Sequence, residues 1–329
     1  MYSFLRRMFM KKFIALFMFA VFFALTLFAP ILFAQESEGG AAMSSELFLQ
    51  ISSLPEAKLG FNQGFKFPLL QGDGSNPLVS GNNVNLVLSA EVTPISVDGI
   101  FKTVFTPIAF LEFSAGGKIG SGWFLKFGDG YIRGIGLNYS DNDEGYSEYD
   151  GSAFDSINWR VFGGGLFQFS LAALIPGDWT HVVMQTYHEI SYRANTRASN
   201  GESWYYENDA GENRNGLVYS GNILFGYQMP RRPLFLNMIA FQAELGKCLY
   251  NQPGGKVWGD DLISWHFAGV LQFAFTNNFD VFLLAQFRSQ RNFIEENADS
   301  LFYQNQTLNT SDPLRVEFYR VAAAIVYRF

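Results

Sequence analysis

The sequence is poor in cysteine, in charge and in long apolar runs. Its single cysteine, Cys248, cannot form a disulfide within the chain, so packing and hydrogen bonds must hold the fold together. Charged residues make up only 16% of the chain, whereas Phe and Gly contribute 36 and 32 residues. No run of about 20 apolar residues follows residue 34, which excludes a polytopic helical membrane protein. This composition suits a protein whose apolar exterior faces lipid without helical spans.

Residues 1–34 differ from the rest of the chain. A basic stretch, MYSFLRRMFMKK, precedes the apolar FIALFMFAVFFALTLFAPILFA, and polar sequence follows. This pattern predicts a secretory signal peptide cleaved after Ala34; because the apolar run is long enough to span a bilayer, a retained anchor is the alternative. The formal net charge is −7, and residues 1–34 hold four bases and no acid. The mature chain would be more acidic still, which argues against a nucleic-acid partner.

After residue 56 the chain alternates between polar and apolar residues in segments joined by long and short connections. The pattern predicts ten strands, at 57–67, 84–97, 100–122, 156–173, 179–195, 216–229, 234–249, 263–275, 280–292 and 314–329. Long loops are expected at 68–83, 123–155, 196–215, 250–262 and 293–313, and short turns between them, for example at Asp98–Gly99.

An even strand count, with both termini on the short-turn side, is typical of a transmembrane β-barrel. Closure is required because lipid offers no partner to a sheet edge. The predicted fold is therefore all-β, a closed antiparallel up-and-down barrel of about ten strands. A further hairpin around Gly128–Gly130 could extend strands above the membrane or raise the number to twelve. The predicted organisation is a signal peptide at 1–34, an N-terminal periplasmic segment at 35–56 and the barrel at 57–329.

The last strand carries a resemblance to a known class. Its ending, AAIVYRF, alternates apolar residues and stops on an aromatic one. This resembles the assembly signal of bacterial single-chain outer-membrane β-barrel proteins, with porin-like architecture. The resemblance implies that Phe329, Tyr327, Ile325 and Ala323 are read by the barrel-assembly machinery. It also implies outer-membrane location, contact with outer-membrane lipid and escort by periplasmic chaperones.

Alternation also assigns charged residues to the barrel interior. Eight bases and four acids are expected to face inward: Lys66, Lys102, Lys118, Arg160, Arg193, Arg288, Arg320, Arg328, Glu91, Glu112, Glu189 and Glu244. The candidate pore-lining residues are Lys102, Lys118, Glu112, Arg160, Glu189, Arg193, Glu244, His266, Arg288 and Arg320. Two interpretations stay open: ion pairs that fill a narrow barrel, or a basic pore that favours anions. Most acids fall in the loops 123–155 and 293–313 and are expected to be solvated.

The sequence also offers candidate residues for catalysis. Omptin-type barrel proteases place acid pairs and a His–Asp couple at the rim, and this chain offers Asp141 with Asp143, and Asp261 near His266. No recognisable motif surrounds these residues. His188 and Ser191 fall on opposite strand faces, which disfavours a lipase-like pair. No metal spacing, phosphate loop or dinucleotide fingerprint occurs, so neither enzyme activity nor a cofactor is predicted.

One loop stands out for its aromatic residues, Trp204, Tyr205 and Tyr206. Exposed, they could contact a sugar or a host surface; loop packing is the alternative. The sequence therefore predicts a barrel for passage or binding of small solutes, with a weakly basic interior. The alternatives are a plugged barrel acting through its acidic loops, as an adhesin or structural protein, and an omptin-like protease.

Overall fold

The computed structural model describes residues 42–54, 56–69, 76, 78–127, 130–138, 149–177, 179–207, 213–230, 235–249, 258–294 and 301–329. The predicted signal peptide lies outside these residues. Within the described part of the chain, no helix has the length and apolar character needed to cross a membrane.

Eighteen strands are described. In chain order they are β1 Ala42–Ser52, β2 Ala57–Pro68, β3 Asn83–Val92, β4 Ser96–Ile108, β5 Leu111–Gly122, β6 Phe124–Phe127, β7 Gly130–Arg133, β8 Ile135–Asn138, β9 Tyr149–Asp150, β10 Asn158–Ser170, β11 Val182–Asn195, β12 Ser203–Tyr206, β13 Asn213–Arg214, β14 Gly216–Gln228, β15 Leu236–Cys248, β16 Ser264–Ala274, β17 Phe279–Arg291 and β18 Leu314–Arg328. Single 3₁₀ turns lie at Leu171–Ala173 and Tyr303–Asn305.

Twelve of these strands form one closed antiparallel barrel, in the order β1-β18-β17-β16-β15-β14-β11-β10-β5-β4-β3-β2. The predicted closed antiparallel all-β barrel is confirmed. It has twelve strands, the alternative to the predicted ten. The closing pair is β1 with β18, where Leu47 lies opposite Tyr327 and Ile51 opposite Ala323. The barrel therefore closes through β1, which precedes the first predicted strand, 57–67.

The two additional strands lie where the sequence pattern does not indicate a separate strand. Residues 42–52, assigned to the periplasmic segment 35–56, form β1, so the barrel begins before residue 57. Alternation is obscured there because the inward-facing Phe48 stands between Leu47 and Leu49. Phe48 fits inside because its ring lies on Gly60, where a Cβ would overlap it.

The second additional strand divides the predicted strand 100–122. A two-residue turn at 109–110 separates β4 from β5, although neither Gly nor Asn marks it. The expected turn at Asp98–Gly99 instead lies inside β4. The hairpin near Gly128–Gly130 does not add barrel strands, since β6 and β7 pair only with each other.

The connections divide between the two ends of the barrel. Both termini of the barrel lie at one end, called here the terminal end, with the connections 69–82, 109–110, 171–181, 229–235 and 275–278. The other end, the loop end, carries the long loops 123–157, 196–215, 249–263 and 292–313. The loop 68–83 is expected at the same end as the other long loops, but it lies at the terminal end. The turn at 109–110 adds a strand between this loop and the loop 123–157, so the two loops lie at opposite ends.

The outer surface is apolar and has aromatic residues at both ends. Exposed aromatics near the terminal end are Phe67, Phe105, Phe110, Phe113, Phe167, Phe169, Trp179, Phe225, Phe235, Phe275, Tyr327 and Phe329. Those near the loop end include Phe124, Tyr192, Trp265, Phe287 and Phe318. Aliphatic side chains such as Ile190, Ile223 and Leu283 are exposed between them. Two aromatic girdles around an apolar band are the exterior of a membrane-spanning barrel.

Candidate functional site

The candidate site is the inner face of the barrel together with the loops that cover it. Because neighbours along a strand alternate, the exposed outer residues fix which positions face inward. By this criterion all ten candidate pore-lining residues lie on the inner face: Lys102, Lys118, Glu112, Arg160, Glu189, Arg193, Glu244, His266, Arg288 and Arg320. The structure does not bring them to a single point. They lie on eight strands, in two groups of four neighbours that β14 separates: β4, β5, β10 and β11, and β15 to β18.

The first group of inner contacts centres on Glu189, a buried residue of β11. Its carboxylate accepts from Arg160 Nη2 at 2.7 Å and from Tyr187 Oη at 2.8 Å. Tyr187 Oη lies 3.1 Å from Ser114 Oγ, and its ring lies over Gly164, where a Cβ would clash with it. The group therefore ties β5, β10 and β11 together across the inner wall.

Three bases share one level of the same wall. Lys118, Arg160 and Arg193 lie directly opposite one another in β5, β10 and β11. Like charges placed opposite each other repel, so each needs water or a carboxylate nearby. Lys118 Nζ lies 3.0 Å from the carboxylate oxygen Oδ2 of Asp98, and Arg160 forms an ion pair with Glu189.

The second group surrounds Tyr319 on β18. The guanidinium carbons of Arg288 and Arg320 lie 4.4 and 4.8 Å from its ring centroid, and His266 stacks on it at 6.1 Å. Strict alternation from the inward-facing Arg320 would place Tyr319 on the outer face. A bulge between β17 and β18, where Gln286 pairs with Arg320 but Phe287 pairs with Phe318, turns it inward.

His266 was the base of the catalytic hypothesis, with Asp261 as its partner. In the structure its carboxylate neighbour is Glu244, 3.9 Å from Nδ1 and directly opposite in the β15–β16 pair. The acid pair Asp141 and Asp143 lies outside the described residues. Across the described ranges, no three His, Cys, Asp or Glu side chains form a group that could hold a metal ion.

A third group lies near the terminal end and was missed at the sequence level. Arg328 Nη1 contacts Asp280 Oδ2 at 2.6 Å, and its Nε lies 3.3 Å from Glu46 Oε2. Asn62 also donates to Glu46 at 3.1 Å. Alternation placed Arg328 inside, but β1 had not been recognised as a strand, so Glu46 could not be placed opposite it.

The long loops fold over the loop end into one body, called here the cap: β8, β9, β12, β13, Trp258 and residues 301–308. The order of its sheet is β13-β12-β8-β9. Its small core consists of Ile135, Leu137, Trp204 and Tyr206. Asn138 Nδ2 donates to Asn305 Oδ1 at 2.9 Å, which joins two loops distant in sequence. Contact of Trp204, Tyr205 and Tyr206 with an external surface is therefore contradicted, because all three are buried.

Charged residues also hold the cap. The fully buried Trp258 lies between Arg214 and Arg291, each 4.9 Å from its ring centroid. Arg197 contacts Asp150 at 2.5 Å and also pairs with Asp155, so these two acids of the loop 123–155 are paired. Burial raises the pKa of the Asp260 carboxyl, an effect that the charge of Arg214 opposes.

Hydrogen bonds join the cap to the inner wall at β4. Tyr206 Oη donates to Asp98 Oδ1 at 2.7 Å, and Ser96 Oγ donates to Glu207 Oε1 at 2.7 Å. Burial, and then the charge of Asp98, raise the pKa of the Tyr206 hydroxyl, so it stays a donor. The sequence predicts a turn at Asp98, whereas in the structure it lies inside β4 and accepts from Tyr206.

A cavity of about 710 Å³ separates the cap from the wall nearby. Tyr205, Tyr206 and Glu207 line it from the cap, and Lys58 and Arg320 from the barrel. Space also remains beside the inner charges. The side chains of Glu244 and His266 are each 46% exposed, and that of Arg160 is 41% exposed, although all face inward. The interior therefore has space for water at these positions.

Neither a protein-family profile nor a curated protein sequence matches the chain. Among solved structures, the NanC porin is 7% identical, with 87% of this chain and 98% of that chain covered and a TM-score of 0.37. The KdgM porin in complex with disordered oligogalacturonate is 9% identical, with coverage of 87% and 99% and a TM-score of 0.37. The β domain of the Bordetella autotransporter BrkA is 11% identical, with coverage of 88% and 100% and a TM-score of 0.41. At such values the likeness is one of barrel folds.

Proposed function

We propose that the chain is an outer-membrane β-barrel that binds small solutes in its interior and allows their passage under the control of the cap. One observation carries the proposal: inward-facing charged side chains remain 41–46% exposed inside a barrel whose outside is apolar. Twelve strands enclose a wider interior than ten, so long side chains need not fill it. The space in the interior favours the solute pathway over the filled barrel.

The charge of the interior supports a weak preference for anions. On the inner faces of the described strands, bases exceed acids by two: Lys58, Lys66, Lys102, Lys118, Arg160, Arg193, Arg288, Arg315, Arg320 and Arg328 against Glu46, Glu91, Asp98, Glu112, Glu189, Glu244, Asp280 and Glu317. Most acids are paired with these bases, so the excess is small. A basic lining raises the local concentration of anions.

Conductance tests the proposal. Folded protein in a planar bilayer should give small single-channel currents, with a reversal potential that indicates anion preference in a KCl gradient. Lys102→Gln removes an inner charge and should shift that potential towards cations. Lys247→Gln removes the same charge from the outer face of β15 and should leave it unchanged. Protein that shows the heat-dependent mobility shift of a folded barrel, yet gives no current at any voltage, would contradict passage.

A second candidate function rests on the cap. Because its loops fold into one body, the cap could instead close the barrel permanently and present a surface to other cells or molecules. That candidate, an adhesin or structural barrel, predicts no current in the bilayer experiment. It also predicts that adhesion of cells is lost when β8 to β9 are deleted and the barrel still inserts.

A further inference from the structure

The contact between Tyr206 and Asp98 joins the cap to the barrel wall. Tyr206 belongs to β12, between β11 and β14, whereas Asp98 lies on the inner face of β4, three strands away from β11 in the barrel order. The hydrogen bond of 2.7 Å therefore links the loop that follows β11 to a part of the wall three strands away. Beside it, Ser96 donates to Glu207, and Ser96 Oγ is also 2.7 Å from Thr93 Oγ1.

The wall is shaped to receive this contact. Gly120 lies opposite Asp98 in the β4–β5 pair, and a Cβ there would overlap both the Asp98 carboxylate and the Tyr206 hydroxyl. Glu207 adopts a left-handed conformation, with φ of 55°, which is uncommon for a residue with a side chain. Its backbone N–H donates to Gly134 O at 2.8 Å. Local backbone preference alone does not favour this geometry, which the surrounding contacts hold in place.

Charge reinforces the contact from the barrel side. Lys118 Nζ lies 3.0 Å from Asp98 Oδ2 and 3.8 Å from Glu91 Oε2, and Lys58 Nζ lies 3.0 Å from the same Glu91 oxygen. Asp98 is almost wholly buried and has Lys118 beside its second carboxylate oxygen. A phenol hydroxyl that donates to a carboxylate held in an ion pair forms one of the stronger kinds of hydrogen bond.

We propose that Tyr206, Glu207, Asp98 and Ser96 form a latch that holds the cap closed, and that release of the latch opens the interior. The passage of solutes on opening rests on the proposed function, whereas the closure of the cap by these four residues does not. Opening would separate Tyr206 from Asp98 and expose the sheet that β12 forms with β8 and β13.

Trypsin can report this opening independently of any current. Arg214 in β13 is only 2% exposed, so cleavage after it requires the cap to open. When opening is fast compared with cleavage, the cleavage rate follows the population of the open form. The experiment compares this rate in the full chain, folded in lipid nanodiscs, for wild type, Tyr206→Phe and Gly120→Ala. Loss of one hydrogen bond to a charged group should raise the rate roughly tenfold to a hundredfold in either variant.

Gly117→Ala is the matched control for Gly120→Ala. It lies on the same strand but on the outer face, where the nearest atom to a new Cβ is 3.5 Å away. Its rate should equal that of wild type. Equal cleavage in Tyr206→Phe and wild type would overturn the latch. Tyr206→Phe retains the ring in the cap core, so this test stands even where Gly120→Ala fails to fold.

Single-channel recordings of the same variants separate the latch from the proposed function. Faster cleavage together with a longer open time supports both. Faster cleavage without current in any variant supports the latch and contradicts passage. Current in all variants with unchanged cleavage contradicts the latch alone.

Discussion

The buried Glu189 provides a quantitative test of how the inner wall is stabilised. Tyr187→Phe removes a hydrogen bond to a charged carboxylate, worth about 1.5–3 kcal/mol, while its ring can stay on Gly164. Glu189→Gln removes the charge but keeps an acceptor. The ion pair with Arg160 contributes less, about 0–1 kcal/mol, because Arg160 is 41% exposed. Tyr187→Phe removes the hydrogen bond between the two side chains, and Glu189→Gln reduces it to a bond between neutral groups. Their effects on the free energy of unfolding should therefore not add, and we expect a coupling of about 1–2 kcal/mol.

Urea unfolding in lipid at pH 7 measures this cycle. The matched control is Tyr219→Phe, on the outer face of β14, where its hydroxyl bonds His188 at 2.7 Å. Combined with Glu189→Gln, it should be additive within about 0.5 kcal/mol. A cycle of Tyr187→Phe and Glu189→Gln that is additive to the same degree would refute the claim that this bond stabilises the wall.

Three further predictions concern other parts of the molecule. Deletion of Phe329, whose N–H bonds Ser45 O at 2.9 Å, should reduce the amount of barrel assembled in the membrane; normal insertion of the shortened chain would contradict its role as an assembly signal. The raised pKa of Tyr206 means that its stabilisation of the cap is complete below about pH 10 and falls as pH rises further, by at most about 1.4 kcal/mol per pH unit. Trypsin cleavage after Arg214 should therefore accelerate above pH 10 in wild type but not in Tyr206→Phe, and identical profiles would argue against this. Gly60→Ala places a Cβ in the ring of Phe48 and should destabilise the barrel by about 1–3 kcal/mol in urea unfolding, whereas Gly99→Ala, whose Cβ meets only Ile119 at 3.9 Å, should cost far less.

Alternation predicted the barrel wall well because it follows from one physical condition. Lipid on one side and water on the other require opposite side chains at successive positions, whatever the partner strands are. The inward positions of Arg160, Glu189 and Arg288 follow from parity within a single strand. Their partners depend on the register between strands. Glu317 shows this, since it faces Arg288 Nη2 at 2.9 Å on the side of the bulge where parity alone failed.

Strand number was harder to predict because short signals at turns can be imitated or absent. The Asp98–Gly99 pair has hairpin composition but lies within β4, and the actual turn at 109–110 lacks it. Such turns form when the flanking strands pair well enough to determine the connection. Pairing energy between β4 and β5 is a property of two strands together, so no single segment shows it.

The same limit explains why the cap and its latch were not foreseen. The composition of a loop gives the number of its charges but not their partners. Arg197 pairs with both Asp150 and Asp155, although it lies in another loop more than forty residues away in sequence. In the same way, Asp98 can accept a hydrogen bond from Tyr206 only because Gly120, on the next strand, leaves room for the tyrosine hydroxyl. A glycine required by close approach has the same letter as a glycine required by a turn. The functional residues most difficult to predict here are therefore those, such as Asp98, whose contact depends on the space left by a neighbouring glycine.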